Sequence, residues 1–507
     1  MNRHASGMGG LALLTAVLLS GCAISPTAFT TEELDVGTQD KLARVTNSQE
    51  PLSGPIDLQQ AMARALKYNL DHKVEVYETS LRLAELNISG FSGLPSVVAN
   101  SGFAERNKTN ASSSYNLLTN TQNFGYSTSQ DNFDKSADLT FSWSVLDFGL
   151  SYVRAHQAAD KALIAEEARR KVVHRLIEDV RTAYWRAWSA QKLSSKLATL
   201  ERRTKTALAS SASLAGDRTT SPIVALTYRR ELIEIQRTLR ELQRELAVAK
   251  FQLAALMNIA PGLPFTLTAP TPMSTATALA APPAELIRIA LNNRPEIRDA
   301  EYKKRINSRE ADAALLEMLP GIQLYASPSY DSNSFLLNHE WLGWGAKASW
   351  NLLKIFQYPA KRDLIEGQDK ALEQRALALT MAIMTQVHVG RARVAQYQHE
   401  VATANSYSDT QGSLLRAIRA EHEASRVSEQ TLLREELNAA VGQVRLDIAR
   451  AGLETAKANL LTSVGLDPSA DGVTNGSSVA EIATVLRRTG PIPSANNGPV
   501  VLVKFKE

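Results

Sequence analysis

The 507-residue chain has one cysteine, which excludes a disulfide within it. Apart from a short stretch near the amino terminus it has no long apolar run, and none reaches the roughly twenty residues a helix needs to cross a bilayer. A formal charge of +4 over this length, with no run of Lys and Arg, leaves no electrostatic footprint for nucleic acid. Catalytic constellations are missing as well. There is no Walker-type glycine loop, no His-Glu-x-x-His and no cysteine pair, and the eight histidines are scattered. The chain is therefore not expected to be an enzyme or to hold a metal or cofactor.

The amino terminus is the first thing that is present. Arg3 and His4 give a short positive start, Leu11 to Leu19 an apolar core, and Leu19-Ser20-Gly21-Cys22 closes the segment. This predicts an export signal over residues 1–21, removed from the mature chain. Leu-Ser-Gly-Cys resembles the bacterial lipobox, which makes Cys22 the expected lipid attachment site. Ala23 follows it in place of an aspartate, which points to the outer membrane. An ordinary signal peptide that happens to contain a cysteine is the alternative. Residues 22–55, polar and punctuated by Pro51 and Gly54-Pro55, read as an extended linker.

The chain beyond the linker is organised around a strand that passes into a very long helix. Ala137, Leu139, Phe141, Trp143 and Val145 alternate with Asp138, Thr140, Ser142 and Ser144, a period of two. After Gly149 the period becomes helical, with Val173, Val180 and Ala187 on one heptad row and Leu176, Ala183, Ala190 and Leu197 on another. This helix is expected to run to about Ala215, roughly 100 Å at the α-helical rise. Gly216 to Pro222 breaks it, and a returning helix carries Leu232, Leu239, Leu246 and Leu253 on its seam. Upstream, residues from Ile56 to about Gly90 read as one helix, Leu94-Pro95 as its stop, and Val97 to Phe103 as a strand. Asn107 to Lys135, rich in Ser, Thr and Asn, reads as an exposed loop.

The same design then returns. Ala65-Leu66 recurs as Ala290-Leu291 and Leu94-Pro95 as Leu319-Pro320, both 225 residues on, while Trp143 recurs as Trp350 at 207. The second strand alternates through Trp344, Ala346, Ala348, Trp350 and Leu352, and the second returning helix carries Leu437, Val444, Ala451 and Ala458. The expected organisation is a first repeat over 56–260, a linker over 261–283, a second repeat over 284–466, and a tail over 467–507 whose structure the pattern does not indicate. The fold class is mainly α with membrane β: duplicated long helical hairpins plus four strands. Strands of this length with one apolar face suit an outer membrane, where a sheet must close on itself. Four strands cannot close, so copies are required. Leu139, Phe141, Trp143, Trp344 and Trp350 would face lipid, and Ser142, Ser144, Ser349 and Asn351 the lumen.

These features together resemble the TolC-like outer-membrane efflux proteins, over about Ile56 to Gly465. The carriers are Ala65-Leu66-Lys67-Tyr68-Asn69-Leu70 and Ala290-Leu291-Asn292-Asn293-Arg294-Pro295, which look like the family's Ala-Leu-x-x-Asn-Pro opening. The two Leu-Pro hairpin starts and the join Trp143-Ser144-Val145-Leu146-Asp147-Phe148-Gly149 add to them. The resemblance implies a homotrimer with a shared twelve-stranded barrel and a twelve-helix periplasmic tunnel. It implies a passive export duct that docks a periplasmic adaptor (a membrane fusion protein) and an inner-membrane pump. Docking would fall on the tips: Gly216, Asp217, Arg218, Thr219, Thr220 and Ser221, and Ala424, Arg426 and Val427. The family's tips read Gly-x-x-x-x-x-Asp; here Pro222 and Gln430 stand at the Asp positions and Ala424 at the second Gly. Glu429, Gln430 and Leu433 are the candidate gate positions. A lipid-anchored coiled-coil scaffold without a pore is the competing reading, and Tyr184, Trp185 and Trp188 read as packing between helices.

Overall fold

Both strand-to-helix units appear in the computed structural model, which describes residues 27–47, 49–214, 222–272, 281–466 and 476–488. The export signal, Cys22, the turn Gly216 to Ser221, and most of the tail lie outside the described residues. The chain divides into Met1–Pro51 and Leu52–Glu507. In the first unit the expected extended linker is corrected: α1 (Thr31–Val45) is a helix. Its start is a capping box, with Glu33 N–H donating to Thr30 Oγ1 (3.2 Å) and Thr30 N–H to Glu33 Oε2 (2.8 Å). No residue of α1 is buried.

In the second unit the helix expected from Ile56 to Gly90 is two helices, α2 (Leu58–Tyr68) and α3 (Leu70–Phe91). Asn69 parts them: its backbone is extended at φ −59°, ψ 130°, and its side chain accepts from His72 N–H at 3.1 Å. There follow β1 (Ser96–Glu105), the short β2 (Ala111–Ser112), β3 (Tyr115–Asn116), β4 (Thr121–Gln122) and β5 (Ser127–Thr128), and then β6 (Phe133–Ser144). The expected loop is thus a ribbon in which β2 pairs with β5 and β3 with β4. The long helix α4 (Val145–Leu214) begins at Val145 and not after Gly149, because Ser144 Oγ accepts from Asp147 N–H (3.2 Å) and caps it. The returning helix is α5 (Pro222–Leu256).

The second repeat gives α6 (Pro283–Asn293), α7 (Pro295–Leu316), β7 (Gly321–Asp331), β8 (Glu340–Ser349), α8 (Leu353–Glu423) and α9 (Glu429–Ser463). Arg294 is extended before Pro295, which breaks α6 from α7 as Asn69 breaks α2 from α3. The helices α5 and α9 end alike, on Asn258 (φ 55°) and Gly465 (φ 73°) in the left-handed region. In the tail, α10 (Val479–Arg488) places Val479, Ile482, Ala483 and Leu486 in a cluster with Ala61, Met62 and Ala65 of α2. Its Ser478–Glu481 capping box was a readable signal that the sequence reading passed over.

Two core clusters lie along α4, and another joins α6, α8 and α9. The helix α4 packs on α3 and α7 nearer the sheet and on α5 and α9 farther out. Val180, Ala187, Leu197, Leu232, Leu239 and Leu253 are fully buried, so the heptad rows are the hairpin seams. Tyr184 and Trp185 are packed in that core, and Tyr184 Oη lies 2.8 Å from the carbonyls of Ile56 and Thr268. It thereby ties the isolated Ile56–Leu267 bridge to the long helix.

Candidate functional site

Two regions carry the expected functional residues: the sheet and the far turns of the helices. The sheet is antiparallel with order β1-β6-β7-β8, so β1 and β8 are its edges. Because side chains alternate, register decides what shares a face. Val97 lies opposite Phe141, Phe141 opposite Ala326, and Ala326 opposite Trp344. The neighbouring row runs Ala99–Leu139, and Pro328–Leu342 continues beside it; Trp143 meets Leu324 and then Ala346. Leu139, Phe141, Trp143 and Trp344 therefore share one apolar face. Trp350 does not belong to it, because β8 ends at Ser349; Leu352 and Asn351 are likewise outside the strand.

A different task accounts for Trp350. Its indole N–H donates to Met318 O at 2.8 Å, and that of Trp143 to Gly93 O at 3.3 Å. Gly93 and Met318 are themselves 225 residues apart, the offset of the repeats. Each tryptophan ties a strand-to-helix join to the turn that precedes the hairpin.

The other face is hydroxylic. Ser96 and Ser142 meet at 2.7 Å, Asn100 donates to Asp138 at 2.9 Å, and Thr140 lies 3.0 Å from Ser327. Tyr325 lies over Gly345, its cross-strand partner; a β-carbon on Gly345 would stand 2.6 Å from the phenol oxygen. Glycine leaves room for the ring to lie along the wall.

At the far end, α8 and α9 are joined by Ala424 to Ser428. Ser425 takes the left-handed conformation (φ 59°) and Arg426 N–H donates to Glu421 O at 2.8 Å, closing α8. Ser428 caps α9 by accepting from Thr431 N–H at 3.2 Å. Arg426 pairs with Glu421 at 3.4 Å, and Val427 offers its carbonyl to His422 Nδ1 at 3.0 Å. Glu429 is not a free charge: it lies 2.7 Å from Arg203 and 3.2 Å from His422 Nε2. Arg203 also pairs with Glu436, which Arg419 holds at 3.0 Å. Leu433 is corrected as a gate position. It is 2% exposed and packed with Leu193, Leu197 and Leu437. The side chain of Gln430, like the residues Gly216 to Ser221, is outside the description.

The sequence reading missed the polar seam between α4 and α9. Lys192 lies 3.4 Å from the buried Asp447, and Thr182 meets Thr455 at 2.9 Å. Burial lowers the pKa of Arg181, against which nearby Glu454 acts, and raises that of Glu178. Asp447 and Glu454 are a heptad apart on a helix that also carries the apolar row Leu437, Val444, Ala451 and Ala458, and this was the available signal. Among the described residues no group of three or more metal-ligating side chains comes together.

No protein-family model matches the chain, and no curated protein matches it. Solved structures do. A crystal structure of CusC, described in terms of folding and transmembrane channel formation, is similar at 20% identity and TM-score 0.62, over 82% of this chain and 95% of that one. The open state of the Neisseria gonorrhoeae MtrE outer membrane channel is similar at 17% identity and TM-score 0.60, over 80% and 88%. The Campylobacter jejuni CmeC outer membrane channel is similar at 12% identity and TM-score 0.62, over 93% and 98%. The chain has the fold of these channels, the TolC-like fold that its duplicated sequence resembles.

Proposed function

We propose that three copies of this chain form an outer-membrane channel-tunnel, a passive export duct of a tripartite efflux or type I secretion system. The observation that carries this reading is the sheet. Its four main strands, of 10, 12, 11 and 10 residues, are apolar on one face and hydroxylic on the other, with two free edges. Each hairpin runs into a helix of 70 or 71 residues, about 105 Å long. Lipid tolerates no unpaired sheet edge, and single barrels begin at eight strands, so one chain is insufficient. Two copies would supply eight strands and three would supply twelve; the resemblance to the TolC-like proteins selects three. The apolar face with Leu139, Phe141, Trp143 and Trp344 then meets outer-membrane lipid, and the face with Ser142 and Tyr325 lines the lumen. Lipid on Cys22 adds an anchor.

The tips at Gly216, Asp217, Arg218, Thr219, Thr220 and Ser221 and at Ala424, Arg426 and Val427 dock a periplasmic adaptor, which an inner-membrane pump drives. Gating charge at the tip rests on Glu429 with its partners Arg203 and His422. Single-channel conductance in planar bilayers, with the mass in detergent, tests the reading. A trimer with discrete conductance is expected. A monomer without conductance overturns it and leaves the lipid-anchored scaffold. Deleting Gly216 to Ser221 should abolish export while trimers remain; persisting export would remove the docking assignment.

A further inference from the structure

Two aromatic side chains stand on the hydroxylic face of the sheet, the face turned away from lipid. Side chains alternate along each strand, so the register fixes what shares that face. One cross-strand row runs Ser96, Ser142, Tyr325 and Gly345, and another runs Asn100, Asp138, Ser329 and Trp341. Tyr325 is 43% exposed and Trp341 47% exposed. The two rows are four residues apart along β7 and β8, a distance of about 13 Å at the rise of a strand.

Between the two rings the wall is clear. The intervening row is Val98, Thr140, Ser327 and Gly343, with the hydroxyls of Thr140 and Ser327 3.0 Å apart. Gly345 lies under the Tyr325 ring, which occupies the space a β-carbon would need. Gly343 has no such cause. A β-carbon there would meet only Ser327 O, at 3.8 Å, and its backbone is not left-handed. A glycine inside a strand weakens it, and one that packing does not require marks a place where a ligand approaches the backbone. Gly343 and Gly345 thus form a bare floor on β8. The Tyr325 ring lies on it, and Trp341 stands at the end away from the helices.

We infer that this floor is a binding site for a linear, uncharged oligosaccharide or polysaccharide in transit through the duct. The faces of Tyr325 and Trp341 offer flat apolar platforms to the C–H faces of pyranose rings. Around them Ser142, Thr140, Ser327, Ser329 and Asn100 supply neutral donors and acceptors for sugar hydroxyls. The separation of the platforms exceeds a single sugar ring, so only a chain engages both. Charge argues against an organic cation as the ligand. No ionised group stands in the Tyr325 row or between the rings. Asp138, two strands from Trp341, already accepts from Asn100 Nδ2 at 2.9 Å and from Thr140 Oγ1 at 2.8 Å. An open shelf holds such a chain weakly, which a conducting pore requires, since a ligand must leave as readily as it enters.

This inference rests on the barrel of the proposed function, and the test separates the two. Maltohexaose added to a planar bilayer that holds the wild-type protein should reduce its current saturably. It should do so more tightly than maltose, which reaches one platform only. Trp341→Ala and Tyr325→Ala should each weaken the block about three- to tenfold, with the mass in detergent unchanged. Tyr325→Phe should retain the block and Tyr325→Leu should weaken it, because leucine covers Gly345 but offers no flat face. Gly343→Val suits a strand yet fills the floor, and should also weaken it. A current that maltohexaose lowers no more than polyethylene glycol of equal size, or a block that both ring variants leave intact, overturns the site and leaves the duct standing. Block by tetraethylammonium in place of maltohexaose, abolished in Asp138→Asn, does the same and makes the lumen a cation filter. A wild-type monomer without conductance overturns both.

Discussion

The two left-handed caps at the ends of α5 and α9 occupy matched positions but should respond differently to the same substitution. At Gly465 an alanine meets two penalties. Its φ of 73° costs an L-residue about 1–2 kcal/mol. Its β-carbon would also stand 2.9 Å from Arg294 N and 3.0 Å from Asn293 C, which are backbone atoms and cannot turn aside. Overpacking of this kind adds about 1–3 kcal/mol, so Gly465→Ala should cost about 2–5 kcal/mol. Asn258 (φ 55°) already carries a side chain in this conformation. Asn258→Ala should therefore cost only about 1 kcal/mol, and Asn258→Gly should cost nothing or stabilise slightly. The amides of Leu466 and Ile259 report each cap locally, since they donate to Leu461 O at 3.1 Å and Ala254 O at 2.8 Å. Hydrogen exchange should accelerate at Leu466 in Gly465→Ala roughly thirtyfold more than at Ile259 in Asn258→Ala, for a difference near 2 kcal/mol. Equal acceleration would refute the argument, for it would mean that α9 can end without pressing on the α6–α7 junction.

Tyr184→Phe removes the hydroxyl that holds the Ile56–Leu267 bridge and should cost about 1 kcal/mol, read as faster exchange at Thr268 N–H. Leu433→Ala should destabilise by about 2–5 kcal/mol in denaturant unfolding, the cost of emptying a core site; a change in conductance without loss of stability would return Leu433 to the gate. His72 titrates at the α2–α3 joint, where burial, then Arg169, holds its pKa below the ordinary 6.5. Its folded pKa is depressed, so its contribution is present above about pH 6.5 and fades as pH falls through the folded value. Wild-type protein should therefore lose more thermal stability between about pH 7.5 and 5 than His72→Gln, in which the amide can still donate to Leu66 O.

Periodicity made the elements legible and local chemistry set their ends. The heptad rows through Val180 and Leu239 were readable because a buried seam admits few polar residues. The apolar sheet face was readable because strand side chains alternate. Misplaced boundaries trace to single side chains: Ser144 starts α4 five residues early, Asn69 divides a continuous pattern, and Trp350 leaves its strand to reach Met318. Alternation through Trp350 and Leu352 looked like strand because an indole bonded beyond the ladder leaves no trace in a period of two. Leu433 was misassigned for a related reason, since matching a tip position by alignment says nothing about which side of the helix it occupies. Charged partners on α4 and α7, such as Asp160 with Arg305 and Arg309, were invisible because they lie far apart in sequence and meet only in the fold.

The polar seam between α4 and α9 explains how two apolar hairpins keep one alignment. A heptad seam of Leu and Ala is degenerate, since sliding by seven residues returns similar contacts. The cross-seam pairs are not degenerate. Arg203 meets Glu436 and Lys192 meets Asp447, eleven residues along each antiparallel helix, and Thr182 meets Thr455 beyond them. A slip of seven would set Asp447 opposite Trp185 or Thr199 and leave a buried carboxylate without its cation. Breaking a buried pair in this way costs about 3–5 kcal/mol, although the intact pair adds little net stability over an apolar one. The seams inside each hairpin therefore supply cohesion, and the seam between the repeats supplies register. That division places the turn at Ala424 to Ser428 at a set height beside the end of α4, where Arg203 reaches Glu429.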